Sequence, residues 1–151
     1  MGFQEMIDKL CEGEMYKRVA TGQNMSLGQL IDALREVEGN TPDGKTKEVR
    51  LENGLSFTDV GSYRGYYSDL AIEPSGEDEA PITVLDLLVI LNRAVRTTFT
   101  GYKGGEYRME LHTPVWVSEY GSASGLAVKG VEVRDGKAVI LTEQVDHRRK
   151  T

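Results

Sequence analysis

Tyrosine and glycine, joined by two cations, are the residues whose spacing in this sequence points to chemistry. Six of the seven tyrosines fall between residues 63 and 120, three of them directly beside glycine and the rest close to one. One cluster reads Gly61-Ser62-Tyr63-Arg64-Gly65-Tyr66-Tyr67, and a second Phe99-Thr100-Gly101-Tyr102-Lys103-Gly104-Gly105-Glu106-Tyr107. A weaker third runs Glu119-Tyr120-Gly121-Ser122-Ala123-Ser124-Gly125. Tyrosine supplies a flat apolar face for stacking and one hydroxyl for a hydrogen bond. Glycine lets the backbone approach a ligand closely. Arg64 offers two parallel bonds to a phosphate or carboxylate, and Lys103 a point charge. The candidate ligand-binding residues are therefore Tyr63, Arg64, Gly65, Tyr66, Tyr67, Tyr102, Lys103, Gly104 and Gly105. A nucleotide-like small molecule suits them, because it needs a stacking surface, cations and backbone donors. The same Gly-Tyr pairs also suit tight turns whose rings wedge between sheet and helix, and both readings stand. Trp116, inside Val115-Trp116-Val117, fits packing in the core or at a subunit interface.

Catalytic chemistry finds little support. The chain holds two histidines and one cysteine. His112 reads as a strand-surface residue and His147 lies near the C-terminus. No His-x-x-x-His, Cys-x-x-Cys or Gly-x-Ser-x-Gly pattern occurs. Residues 101–105 lack the Lys-Ser/Thr that closes a phosphate-binding P-loop. The run Glu77-Asp78-Glu79 reads as a solvated loop, since adjacent carboxylates do not converge on an ion without a folded cage. The expectation is a non-enzyme with no metal and no cofactor.

The elements that must carry the clusters follow from periodicity. Phe3, Met6, Ile7, Leu10, Cys11 and Met15 recur at helical spacing, which predicts an N-terminal helix within residues 1–22. Ser26 with Gln29 forms a capping box, and Leu27, Leu30, Ile31 and Leu34 make the buried stripe of a second helix. A hairpin is predicted next, with a three-residue loop at Glu52-Asn53-Gly54 that pairs Leu51 with Leu55 and Val49 with Phe57. Leu70-Ala71-Ile72 is a short strand ended by Pro74. A third helix starts at Thr83 and is apolar over more than half its circumference, so it is expected to be covered on two sides. The remainder alternates as strands, and Asp135-Gly136 joins two of them with Val131 opposite Ile140 and Val133 opposite Ala138.

The predicted architecture is α+β, a single domain with an antiparallel β-sheet packed against two or three helices. Residues 23–145 form the ligand-binding body, and residues 146–151 a disordered charged tail. With 151 residues, 39% hydrophobic and 28% charged, the chain has ordinary globular composition. Its net charge of −6 argues against nucleic acid and anionic membrane surfaces as partners. No apolar run approaches the roughly 20 residues of a membrane span, no signal peptide is evident, and a single cysteine forms no internal disulfide. A reducing cytoplasm is the expected location.

The segment Ser62-Tyr63-Arg64-Gly65-Tyr66-Tyr67-Ser68-Asp69-Leu70-Ala71-Ile72-Glu73-Pro74 resembles a family of small proteins encoded by bacteriophages. So do Thr98-Phe99-Thr100-Gly101-Tyr102-Lys103-Gly104-Gly105-Glu106-Tyr107 and the following Thr113-Pro114-Val115-Trp116-Val117. The resemblance covers residues 26–130 and implies an accessory protein acting in the host cell cytoplasm, with no firmly assigned activity. From it we expect a sponge that sequesters a nucleotide-derived immune second messenger, of cyclic nucleotide or cyclic ADP-ribose type. Tight capture with slow release favours a pocket between subunits, hence a homo-oligomer. Two alternatives remain: an inhibitor that docks Tyr-rich loops on a host defence protein, and a signal-degrading hydrolase.

Overall fold

The computed structural model describes residues 15–19, 23–40, 43–44, 46–63, 66–76, 81–101, 103–118 and 125–145. Among them are nine strands and two helices. The expected N-terminal helix lies largely outside the described residues, as does the tail. Where the range 1–22 is described, Met15–Arg18 is strand β1.

The architecture corrects the expected class. Instead of an antiparallel sheet backed by two or three helices, the protein is mostly β, with a nearly closed, barrel-like sheet. After β1 come β2 (Val49–Leu51), β3 (Ser56–Ser62), β4 (Leu70–Gly76), β5 (Thr98–Thr100), β6 (Glu106–Arg108), β7 (Val115–Val117), β8 (Gly125–Arg134) and β9 (Lys137–Val145). The main sheet runs β2-β9-β8-β7-β4-β3, with β1 beside β8, while β5 and β6 form a separate hairpin. The turn from β2 into β3 brings the two ends of that order together, where the Leu51 N–H donates to the Leu55 carbonyl at 3.1 Å. Two of the pairings, β2 with β9 and β4 with β7, are parallel. Parallel neighbours require crossover connections. Between β4 and β7 the chain makes one through a helix and the β5–β6 hairpin. Periodicity reports only neighbours in sequence, so it could not reveal these partnerships.

Local signals explain the elements themselves. Helix α1 (Leu27–Asn40) starts at the expected capping box: the Gln29 N–H donates to Ser26 Oγ at 3.2 Å, and the Ser26 N–H to Gln29 Oε1 at 2.9 Å. Its stripe of Leu27, Leu30, Ile31, Leu34 and Val37 is buried, whereas Asp32, Arg35 and Glu36 are exposed. Burying each such leucine contributes about 1.5–3 kcal/mol. Helix α2 (Val84–Ala94) is capped reciprocally by Thr83 and Asp86. It buries Val84, Leu87, Leu88, Leu91 and Ala94. Leu85 and Val89 are 46% and 42% exposed, so α2 is covered over one broad face and not on two sides. No helix among the described residues is long and apolar enough to cross a membrane.

The β8–β9 hairpin has the expected register, with Val131 opposite Ile140 and Val133 opposite Ala138. Asp135 (φ 49°) and Gly136 (φ 73°) both take the left-handed conformation that a two-residue turn requires. At the other predicted hairpin the turn forms, with Gly54 at φ 87°. The expected ladder does not extend from it, because β2 takes β9 as its partner and β3 takes β4. Pro74 does not end β4; the strand continues to Gly76 through a register shift opposite Phe57. A proline is tolerated at such an irregularity, where no ladder donor is needed.

One main core joins both helices to the inward residues of the sheet, including Val49, Leu51, Phe57, Leu70, Ile72, Val115, Val117 and Ile140. Gly136 has open space where a Cβ would sit, so its conformation alone sets the cost of substitution. Gly136→Ala should lower unfolding stability by about 1–2 kcal/mol, the penalty of a left-handed non-glycine residue. Denaturant titration checks this, and an unchanged midpoint would contradict the assigned turn.

Candidate functional site

Alternation along β7, the start of β4 and the start of β8 sends a second set of side chains to the opposite face of the sheet. Ala71 pairs with Trp116 across β4 and β7, and Trp116 with Ala127 across β7 and β8. Two methyl side chains thus flank one indole and leave a trough for it. Tyr63 covers the indole, stacked at 4.7 Å between ring centroids and only 7° from parallel. These four residues form a small cluster of their own. The Trp116 Nε1–H donates to Asp69 Oδ2 at 2.8 Å, which gives the buried indole its polar partner. Tyr66 leans against both rings, 6.0 Å from Trp116 and 6.4 Å from Tyr63. Trp116 and Tyr63 are each 4% exposed, whereas Tyr66 is 38% exposed. The first two are therefore wall, and Tyr66 is the more exposed ring.

A tight turn holds this arrangement. The Asp69 N–H donates to the Tyr66 carbonyl at 2.8 Å and the Tyr63 N–H to the Asp69 carbonyl at 2.9 Å. The Ser62 hydroxyl donates to the Tyr67 carbonyl at 2.6 Å. Facing the turn, the chain leading into α1 is tied down by three hydrogen bonds to β7 and β8. The Met25 N–H donates to the Val128 carbonyl, the Val115 N–H to the Met25 carbonyl, and Asn24 Nδ2 to the Val115 carbonyl. Lys129, buried at the bulge in β8, donates from Nζ to the Gln23 carbonyl at 2.6 Å and pairs with Glu143 at 3.5 Å.

Between the turn and this segment lies a solvent-open cleft of about 650 Å³. It falls within the roughly 300–1,000 Å³ usual for small-molecule sites. Its aromatic side is Tyr66 and the edge of Trp116, with Val19 and Pro114 as aliphatic wall. Its polar groups are Asp69, Ser68 and the amides of Gln23, Asn24 and Gln29. Among the described lining residues, Asp69 is the only one with a formal charge.

The two Gly-Tyr clusters meet at a different pair of rings. Tyr67 lies 5.7 Å from Tyr107, tilted by 38°. The β5–β6 hairpin puts Tyr107 opposite Phe99 and folds the ring back over its own turn. A Cβ on Gly101 would stand 2.8 Å from Tyr107 Cε2 and 3.3 Å from Tyr67 Cγ, and one on Gly105 would stand 2.8 Å from the Tyr107 hydroxyl oxygen. These two glycines make room for tyrosine rings. Gly104 (φ 93°) makes the turn itself, its N–H donating to the Gly101 carbonyl. Lys103 is exposed at the tip.

Of the nine expected site residues, Tyr66 lines the cleft, Tyr63 backs it, and Tyr67 touches the second cluster. Lys103, Gly104 and Gly105 sit on the hairpin tip, outside the cleft lining. Arg64, Gly65 and Tyr102 lie outside the described residues. Sequence reasoning missed Asp69, Ser68, Gln23, Asn24 and Gln29. Asp69 directly follows the tyrosine cluster, a cue that was available; the amides became lining residues only through long-range pairing. His112 is exposed in a turn.

No protein-family model, curated protein or solved structure matches the chain.

The clear pKa shifts lie away from the cleft. The Arg50 guanidinium hydrogen-bonded to Glu48, with Lys137 nearby, holds the Glu48 carboxyl below its ordinary value. Glu132 raises Arg134 in the same manner. Among the described residues, no group of three histidine, cysteine or acidic side chains is placed to hold a metal.

The alanine-flanked trough has a direct test. Ala127→Leu forces extra volume against Trp116 and should destabilise the fold by about 1–3 kcal/mol. Emission from the sole tryptophan, followed through urea unfolding, reports both the loss and any displacement of the indole. Wild-type stability with unchanged emission would show that Ala127 does not confine Trp116.

Proposed function

We propose that this protein is a non-catalytic binding module that captures a nucleotide-derived small molecule in the cleft beside Tyr66. The observation that carries the reading is the half-exposed Tyr66 ring, held by two buried aromatic residues next to a row of hydrogen-bonding groups. A planar base laid on Tyr66 meets a rigid surface, so little ordering cost opposes binding. The groups around it are amides, a hydroxyl and a carboxylate engaged with an indole N–H. That set recognises a ligand and offers no evident nucleophile-base pair, which favours retention over turnover. Asp69 is the charged group among the described lining residues, and Arg64 and Lys103 are the candidate cations for a phosphate.

Together with the resemblance to phage-encoded accessory proteins, this chemistry supports a role in the infected host cytoplasm: sequestering a cyclic nucleotide or cyclic ADP-ribose signal, as a homo-oligomer. A protein-docking role draws on a separate observation, the exposed Leu85 and Val89 on α2 together with exposed Leu111.

A panel of cyclic nucleotides and cyclic ADP-ribose isomers, scored by melting temperature and by ligand recovered after heating, separates the readings. A sponge shows a large upward shift and releases intact ligand. An altered ligand would indicate an enzyme, and the absence of any shift would overturn the small-molecule reading in favour of a protein partner. Tyr66→Ala should weaken the binding of a responding nucleotide by at least about 1 kcal/mol, the low end of base–aromatic stacking. Arg64→Ala should weaken it by at least about 1.5 kcal/mol, the scale of a charged hydrogen bond. Isothermal titration measures both; full affinity in Tyr66→Ala removes that ring from the site, and full affinity in Arg64→Ala removes the phosphate role of Arg64.

A further inference from the structure

We propose that the Asn53-Gly54 turn is a self-modification site, where Asn53 loses its side-chain amide through a cyclic imide and becomes aspartate and isoaspartate. The chain has four asparagines, and Asn53 is the one followed by glycine. Both turn residues are exposed. Gly54 has open space where a Cβ would sit, so neither a side chain of its own nor a neighbour crowds the approach to its nitrogen. Asn53 Oδ1 accepts the Leu55 N–H at 3.0 Å. That bond folds the side chain forward over the Gly54 peptide, with Cγ on the side of its nitrogen. Among the described residues Asn53 Nδ2 has no hydrogen-bond partner, so the leaving group faces solvent. Asn24 and Asn92 differ on these points. Their Nδ2 groups donate to the Val115 and Leu88 carbonyls, and methionine and arginine follow them.

The reaction balances with water alone. The Gly54 N–H donates to the Leu51 carbonyl at 2.8 Å, a bond at an exposed turn, where local opening costs least. Once it opens, hydroxide takes the proton and the nitrogen attacks Asn53 Cγ. The N–Cγ bond forms, the Cγ–Nδ2 bond breaks, and ammonia departs with a proton from water. This is an intramolecular attack, which proximity accelerates. Arg50 Nη1, 3.5 Å from the Gly54 carbonyl, sets a cation beside the negative charge that develops, while Glu52 is turned away onto the Thr142 N–H. Water then opens the ring. Opening at Cγ leaves aspartate; opening at the backbone carbonyl leaves isoaspartate, whose main chain runs through Cβ and Cγ. The added main-chain atom falls inside the turn whose Leu51–Leu55 bond brings β2 to β3, so this product loosens the closure of the sheet.

Ageing the intact protein in mildly alkaline buffer, followed by whole-protein mass and peptide fragmentation, tests the site. Asn53 should convert at least about tenfold faster than Asn24 or Asn92, with NH₂ replaced by OH and isoaspartate among the products. Asn53→Gln, which needs a larger ring, should slow conversion at that position at least about tenfold. The converted protein should unfold at a lower urea midpoint than the fresh sample. Equal conversion at Asn24 or Asn92 overturns the proposal. So does a urea-unfolded sample that converts at Asn53 over a period in which the folded protein does not, because the turn would then protect the residue. A converted protein with the fresh midpoint overturns the link to sheet closure. The wild-type ranking decides the question even if Asn53→Gln fails to fold.

Discussion

The placement of Trp116 on the outer face of a parallel strand pair is the constraint on which the site depends. β7 has only three residues, Val115, Trp116 and Val117, and the period of a strand forces the middle one away from the core that the other two enter. An indole cannot stand alone on a sheet surface without a cover and a partner for its N–H. The structure supplies both from one turn: Tyr63 stacks on the ring, and Asp69 accepts its hydrogen. Tyr66, between them in sequence, is thereby fixed with its own ring outward. The cleft is the space between that turn and the strapped entry to α1.

The barrel-like closure and the cleft are linked through the same pairings. Parallel registration of β4 with β7 aligns Ala71 beside Trp116, and antiparallel registration of β7 with β8 sets Ala127 on the other side. A slip of one residue in either pair would put a valine or leucine in the trough and move the alanine inward. The same ladders carry Leu70, Ile72, Val115, Val117 and Val128 into the main core, where they are fully buried. Apolar burial therefore fixes the register, and the register fixes the aromatic nest. The buried Lys129 extends this coupling, since its ammonium ties the Gln23 carbonyl to the bulge of β8.

Much of the local structure was legible in the sequence. The Ser26–Gln29 cap, the stripe of α1, the start of α2 at Thr83 and the register of the Asp135-Gly136 hairpin all rest on contacts between near neighbours. The sheet itself was not legible, because β2 with β9 and β4 with β7 pair across long stretches of chain through ladders of only three residue pairs each. The tyrosine clusters divide between the cleft and packing. Tyr66 faces the cleft, but Tyr63 covers Trp116, and Gly101 and Gly105 make room for Tyr107. Trp116 reads as simple packing until its two flanking alanines are known, and Asp69 has no visible role until Trp116 is placed beside it.

The indole N–H of Trp116 gives the most direct test of the account, because one tryptophan yields one resonance. In a ¹⁵N-labelled protein that signal should be displaced by its bond to Asp69 and slow to exchange with solvent. It should shift further when a nucleotide that the protein binds is added. An indole resonance that exchanges like an exposed tryptophan, or one that no nucleotide moves, would contradict the claim that Trp116, Asp69 and Tyr66 form a binding site.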